Sequence, residues 1–310
     1  MFSIPAWILV ALGGHIANGA AFVIDKTLLT KSFKRPATYA GLVGLLGCLA
    51  AILFPFGVHL PGLNGWIWII VSGATFVIAL WAFFSALAAG EASRVVPVIG
   101  SLIPILTLVG TTTFLGERLT MGQSIGFGAL IAATIILAGG KSKSRLSKQA
   151  IILAVLAATL FAVSFITVKI GYEADGFITV FTLSRLVGFV TAICLLSYDE
   201  AAYREVKNAF FPKKTKKKTG VNERMALILV LTGQTLGAGG FVLVQYAISL
   251  GSASIVNALQ AVQYAFLVLV AFALSKRAPD LLGEDLTLGT VIQKIIAIIL
   301  VAAGLWLVVV

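Results

Sequence analysis

Charge is what this chain has least of. Only 11% of its 310 residues are charged, against 59% hydrophobic, and its mean hydropathy is +1.05. A soluble domain averages about 25% charged and about 45–50% apolar residues. A water-soluble globule is excluded, because no core of this size hides so much apolar surface, and disorder is excluded on the same ground. Cysteine is scarce too: Cys48 and Cys194 each sit inside an apolar run. That argues against a disulfide framework or a zinc cluster. There are two histidines, His15 and His59, and no H-E-x-x-H. No G-x-x-x-x-G-K-[ST] phosphate loop occurs, which argues against an ATP-driven pump, and no nucleophile clusters with a base. The expectation is therefore no catalytic residues, no metal, no cofactor and no enzyme.

An integral membrane protein remains. Apolar runs lie near 4–25, 37–57, 66–88, 95–115, 121–139, 150–170, 177–197, 226–248, 253–274 and 288–310. Each is close to the ~20 residues that cross a bilayer. They must be helices, since lipid offers no partner to a bare backbone, and they lack the alternation of barrel strands. The fold class is an all-α integral membrane protein with ten transmembrane helices. MFSIPAWILV has no basic region and no small-residue cleavage site, so it reads as the first span and not a signal peptide, and no lipidation motif is visible.

The net charge of +11 comes from 23 Lys and Arg against 12 Asp and Glu. The basic residues lie in short connectors, which points to membrane anchoring and not to nucleic acid. Nineteen belong to odd-numbered connectors: Lys26, Lys31, Lys34 and Arg35; Arg94; Lys141, Lys143, Arg145 and Lys148; eight in 198–225; Lys276 and Arg277. Even-numbered connectors hold two, Arg118 and, at a span edge, Lys169. The bias places odd connectors in the cytoplasm, both termini outside, and the chain in the cytoplasmic membrane. Trp7, Trp66, Trp68 and Trp306 then share the outer interface. The connector 198–225 puts Ala202, Val206 and Phe210 at i, i+4, i+8, and then runs KKTKKK. It reads either as an interfacial helix facing anionic headgroups or as a solvated basic loop that fixes topology.

The chain also repeats itself. LGERLTMG at 115–122 matches LGEDLTLG at 282–289 in six of eight positions. SALAAGEAS at 85–93 resembles YAISLGSAS at 246–254, and FVIDK at 22–26 resembles FITVK at 165–169. The halves are 1–140 and 150–310, joined by a basic linker at 141–149. Five spans per half is odd, so one half is inverted relative to the other. Inverted repeats are an architecture of secondary transporters. The alternative is a non-transporting membrane protein that binds lipid or assembles into a complex, and strictly apolar facing surfaces would favour it.

These residues carry a family resemblance. Phe22/Lys26 and Phe165/Lys169, the small-residue turns at Gly90 and Gly251, and the G-E-x-L-T segments at Gly116–Thr120 and Gly283–Thr287 resemble the EamA-type members of the drug/metabolite transporter superfamily. The resemblance spans nearly the whole chain. It implies ten helices in two five-helix repeats and transport of small organic solutes. It also implies an Arg in the second helix of each repeat, which Arg185 matches and Gly41 does not, and termini in the cytoplasm, opposite to the charge bias.

Ionisable and amide groups inside spans are candidates for a substrate cavity. His15, Asn18, Phe22 and Lys26 form one stripe of the first span. His15 and Asn18 either line a cavity or bond a neighbouring helix; Lys26 and Lys169 either line it or snorkel. Arg185 offers a planar fork to a carboxylate or phosphate, or else meets a structural partner such as Glu173. Lys294 reads as snorkelling. Asn257, Gln260 and Tyr264 share a face of the ninth span, which also carries Gln263, and the eighth carries Gln234 and Gln245. Pro97 and Pro104 predict bending of the fourth span and a gate. Glu117 and Glu284 read as proton-coupling carboxylates or as charges placed at helix starts, with Thr120 and Gln123 fitting a capping box. A small-molecule substrate and proton coupling are the expected partners. The oligomeric state is not legible.

Overall fold

The computed structural model describes residues 4–28, 35–138, 146–210, 223–274 and 288–309. The elements are α1 (Ala6–Leu28), α2 (Pro36–Leu45) running into a 3-10 stretch (Leu46–Phe56), α3 (Leu63–Ala89), α4 (Ala92–Leu115), α5 (Met121–Ala138), α6 (Lys148–Asp175), α7 (Phe177–Tyr198), α8 (Glu200–Phe210), α9 (Glu223–Leu250), α10 (Ala253–Ala258), α11 (Gln260–Leu274) and α12 (Leu288–Val309). All the described elements are helical. Eight are long and apolar enough to cross a membrane, counting α2 with its 3-10 stretch and α10 with α11; Met121–Leu137 is a shorter apolar helix. α9 covers the run expected at 226–248. Exposed Ile152, Ile299 and Trp306 at 67%, 61% and 64% are the surface of a protein solvated by lipid.

The helices group into two compact units. One comprises α1, α5 and α9–α12; the other comprises α2–α4 and α6–α8. Each unit draws helices from both halves of the chain.

Small residues set the packing, as expected where lipid removes the hydrophobic drive between helices. In the first unit, a Cβ on Gly14 would lie 2.9 Å from the Gly240 carbonyl oxygen and 2.9 Å from a Val244 methyl, so α1 and α9 cross backbone to backbone. Gly304 and Gly126 bring α12 and α5 together in the same way. In the second unit, Gly41 and Gly44 on α2 seat Leu196 and Ala192 of α7. Ser164 on α6 donates 2.9 Å to the Ser72 carbonyl on α3.

Contact order gives helix direction. α1 runs antiparallel to α9, since Gly14 meets Val244 while Ala21 meets Gly237. α5 is antiparallel to α12, α2 to α7, and α3 to α6, while α3 is parallel to α7 (Gly73 beside Ser184, Gly188 beside Val77). Each relation agrees with the odd or even place of those helices in a sequence of alternating crossings.

Local chemistry explains the boundaries. The reciprocal capping box forms: Gln123 N donates to Thr120 Oγ1 at 3.2 Å, and Thr120 N to Gln123 Oε1 at 3.0 Å. α8 forms where the i, i+4, i+8 pattern predicted, but Ala202 and Val206 are buried against Ala37 and Leu196, so this face packs on protein and not on headgroups. Asp199 accepts from Ala202 N at 3.0 Å and from Arg35 Nη1 at 3.1 Å, and Thr38 donates 2.8 Å to Glu205. The Ala202 amide, and then Arg35, hold the Asp199 carboxyl below the usual carboxylate range. The KKTKKK run and the linker at 141–145 lie outside the described residues.

Candidate functional site

In the first unit the polar residues of α1 meet the α9 backbone, α10 and α11. The Gly14/Gly240 crossing carries Asn18 onto the α9 backbone at Gly240. One turn earlier, His15 is buried at 5% exposure, and its Nε2 lies 2.9 Å from the Val256 carbonyl oxygen. That carbonyl is at the end of α10, just ahead of the interruption at Leu259 that separates α10 from α11. A carbonyl only accepts, so Nε2 carries the proton and donates. The neutral ring then presents a bare Nδ1, which is buried and has no hydrogen-bond partner among the described residues. Gln263 on α11 is near enough to the ring for a weak side-chain hydrogen bond, but none of full geometry forms at Nδ1. Asn257 and Gln245 are buried nearby in sequence and on the neighbouring helix, whereas Gln260, Gln263, Tyr264 and Asn18 are half-buried.

The stripe read along α1 is not one surface. His15 is interior but Phe22 is 50% exposed, and the Lys26 side chain lies outside the described residues. Gln234 is on an exposed stretch of α9. Lys294, expected to snorkel, is instead buried at 8% exposure, on α12 where that helix packs against α5 beside Gln293, which donates 2.9 Å to the Ile136 carbonyl.

Arg185 and Lys169 belong to the second unit. Arg185 is the ninth residue of α7, and its guanidinium lies over the Phe76 ring, 4.2 Å from the centroid. Tyr172 is within electrostatic reach. Glu173, offered above as a partner, pairs one turn back with Lys169 at 3.2 Å. Phe76 continues into an aromatic cluster through Phe161 at 5.8 Å, with Phe83 and Phe165 on the same ring. The first-half counterpart Gly41 seats Leu196, so a larger residue there would collide with α7.

The remaining candidates separate. Pro97 and Pro104 are buried inside α4, which runs on through both. Pro104 removes the amide that would bond the Gly100 carbonyl. Glu117 follows Gly116, whose φ of +65° ends α4 in the left-handed conformation, and its amide closes on the Thr111 carbonyl at 3.2 Å. Glu284 lies outside the described residues. Sequence reasoning gave no site to His59, whose Nδ1 is 2.9 Å from Thr179 Oγ1 and whose Nε2 is 3.6 Å from Asp175. It also passed over the Val256 carbonyl, the break at Leu259 and the Phe76 ring. No signal marked these, since each arises from pairing of distant segments. No cluster that could hold a metal ion occurs among the described residues.

Comparison with known proteins comes to the same architecture. Residues 5–139 match the EamA-like transporter family, part of the drug/metabolite transporter superfamily. A solved structure described only as a crystal structure of a protein is similar over 98% of this chain and 96% of its own, with a TM-score of 0.63 at 17% identity. At that identity the likeness concerns the fold. No curated protein matches the chain.

Proposed function

From a multi-span membrane protein whose residues 5–139 are EamA-like, of the drug/metabolite transporter type, we propose a secondary transporter that moves small polar or amphipathic organic metabolites across the cytoplasmic membrane by alternating access. The observation that carries this reading is the interrupted helix α10–α11. Its break receives the buried imidazole of His15, and Asn257, Gln260 and Gln263 flank it in sequence. Leu259 keeps right-handed angles, φ −62° and ψ −8°, and Val262 N bonds back to its carbonyl at 2.9 Å, so the interruption is one tightened turn. A 3-10 turn inside a helix often marks a functional hinge.

On this reading Asn18, Gln260 and Tyr264 offer hydrogen bonds to the solute, with Asn257 bracing the break. In the other unit, taken by itself, Arg185 offers a fixed charge and a planar fork to an anionic group, its guanidinium plane seated on Phe76. Pro97 and Pro104 give α4 the compliance of a gate. The two five-helix halves, 1–140 and 150–310, are the inverted repeats, and both termini face outside.

Cysteine accessibility tests the path. Cys48 and Cys194 are exposed and free, so both are first replaced by serine. Asn18→Cys, Gln260→Cys and Tyr264→Cys are expected to react with a charged, membrane-impermeant thiol reagent. Ile299→Cys, on the lipid-facing surface, is expected not to. Equal inertness of all four would refute a wet path along α1 and α11.

A further inference from the structure

Resting on that transport reading, we infer that His15 Nδ1 is the proton-binding site through which the protein couples transport to a proton gradient. Two independent features of the fold carry this. The first is isolation. Apart from tyrosines, α5 and α10–α11 contain no ionisable side chain; α12 has only Lys294, and α9 only Glu223 and Arg224 in its first turn. Those two are seventeen and sixteen positions before Gly240, about 25 Å along the helix axis. On α1 itself, Asp25 and Lys26 lie more than two turns beyond His15. Tyr246 on α9 and Tyr264 on α11 are the other titratable groups of the helices packed on α1. His15 is thus the group in this bundle whose charge changes in the ordinary pH range.

The second feature is the tautomer. Nε2–H donates to the Val256 carbonyl oxygen, 2.9 Å away, and this bond holds the ring in place. Nδ1, buried and without a hydrogen-bond partner among the described residues, is left as a lone pair. A proton arriving through water adds to that lone pair and converts the imidazole to imidazolium. The Nε2–H to carbonyl bond survives the step and becomes charge-assisted. When the proton leaves to the opposite side, the neutral ring and its bare Nδ1 return. Gln263 stands beside the ring on α11, the helix that also carries Gln260 and Tyr264. An amide next to a lone pair turns its NH2 inward; next to an N–H it turns its oxygen inward. Protonation therefore reverses the amide that borders the solute-facing side chains.

The test uses the full chain. His59→Gln leaves His15 as the one histidine, so 15N-histidine NMR of this variant in lipid nanodiscs reads its ring alone. The expected result is the Nε2–H tautomer at high pH, becoming doubly protonated by about pH 5, within the range where imidazoles titrate. A ring that stays neutral to that pH, or that is Nδ1–H when neutral, overturns the inference without reference to transport. The second arm uses proteoliposomes loaded with a pH-sensitive dye and given amino acids, nucleosides and sugar phosphates. Wild type is expected to move protons whenever a solute gradient drives net flux, since one-for-one exchange carries no net proton. His15→Gln keeps an amide donor for the Val256 carbonyl, and is expected to lose proton movement per solute moved. Proton movement at the wild-type ratio in His15→Gln overturns the inference, and so does wild-type net solute flux without proton movement. Absence of any solute flux in wild type sinks the transport reading and this inference together.

Discussion

Substituting Gly240 tests the helix crossing on which the candidate site depends. A Cβ built there would meet the Gly14 carbonyl oxygen at 2.8 Å and run into Asn18 Oδ1. The first obstacle is backbone and cannot rotate away. Gly240→Ala must push α1 from α9 by several tenths of an ångström, an overpacking cost of about 1–3 kcal/mol. The intrinsic helix preference for Ala over Gly, up to about 1 kcal/mol, opposes that cost. The net loss reaches about 2 kcal/mol when the full propensity gain applies, and Gly240→Ala falls about 1–3 kcal/mol below Gly239→Ala, in which the same gain acts. Gly239→Ala is the internal control: nothing lies within 4 Å of a Cβ there, so propensity acts alone and the variant is neutral or slightly stabilised. The assay is reversible unfolding in mixed micelles, with wild type, Gly239→Ala and Gly240→Ala measured side by side. Because the displaced side chain is Asn18, Gly240→Ala is also expected to depress solute flux more than Gly239→Ala does. Equal stability of the two variants would refute the reasoning, because a close backbone approach cannot absorb a methyl group for nothing.

Arg185→Lys keeps a charge but loses the planar fork, so it is expected to fold and to lose anionic-solute flux; Phe76→Leu is expected to cost about 1 kcal/mol through loss of the ring beneath the guanidinium. Near-normal flux in Arg185→Lys would make the residue structural. Thr120→Ala removes the cap of α5 and is expected to cost about 1 kcal/mol in the same unfolding assay. Asp199 is held below the usual carboxylate range, so its contribution to docking α8 is fully present above about pH 4, the unfolded value. It is lost as pH falls through the lower folded value. The protection factor over 200–210, exchange relative to the intrinsic rate at each pH, is expected to be flat from neutral pH to about pH 4 and to fall below it. A phosphatase reporter fused after Val310 is expected to be active, and a purely cytoplasmic signal would reverse the assigned orientation.

The crossings were legible because lipid imposes one period and one length. Apolar runs near 20 residues can only be helices, and their order alone fixes which neighbours run antiparallel. Short-range chemistry was legible as well: Thr120 and Gln123 lie three residues apart and cap each other, and Ala202 and Val206 lie one turn apart on a shared face. What failed to show was which surface each face meets. Ala202 and Val206 read either as one face of an interfacial helix or as part of a solvated loop, but Leu196 and Ala37 cover them. Phe22 continued the α1 stripe in a helical projection, yet it turns outward while His15 turns in. Lys294, two turns into α12, looked able to reach an interface, but it is buried. The break at Leu259 lies in Asn257-Ala258-Leu259-Gln260, which contains no proline or glycine to announce it. The partner that meets the chain there is distant: a histidine 241 positions away donates to the carbonyl ahead of it.

Transport itself is the claim on which the site assignments stand, and solute counterflow measures it most directly. Proteoliposomes holding the purified chain are preloaded with one unlabelled metabolite and given the same metabolite in labelled form outside. The account predicts transient labelled uptake for at least one amino acid, nucleoside or sugar phosphate, above that of protein-free vesicles and reduced by Gln260→Ala at equal protein content. Folded, membrane-inserted protein that moves none of them faster than empty vesicles would contradict it.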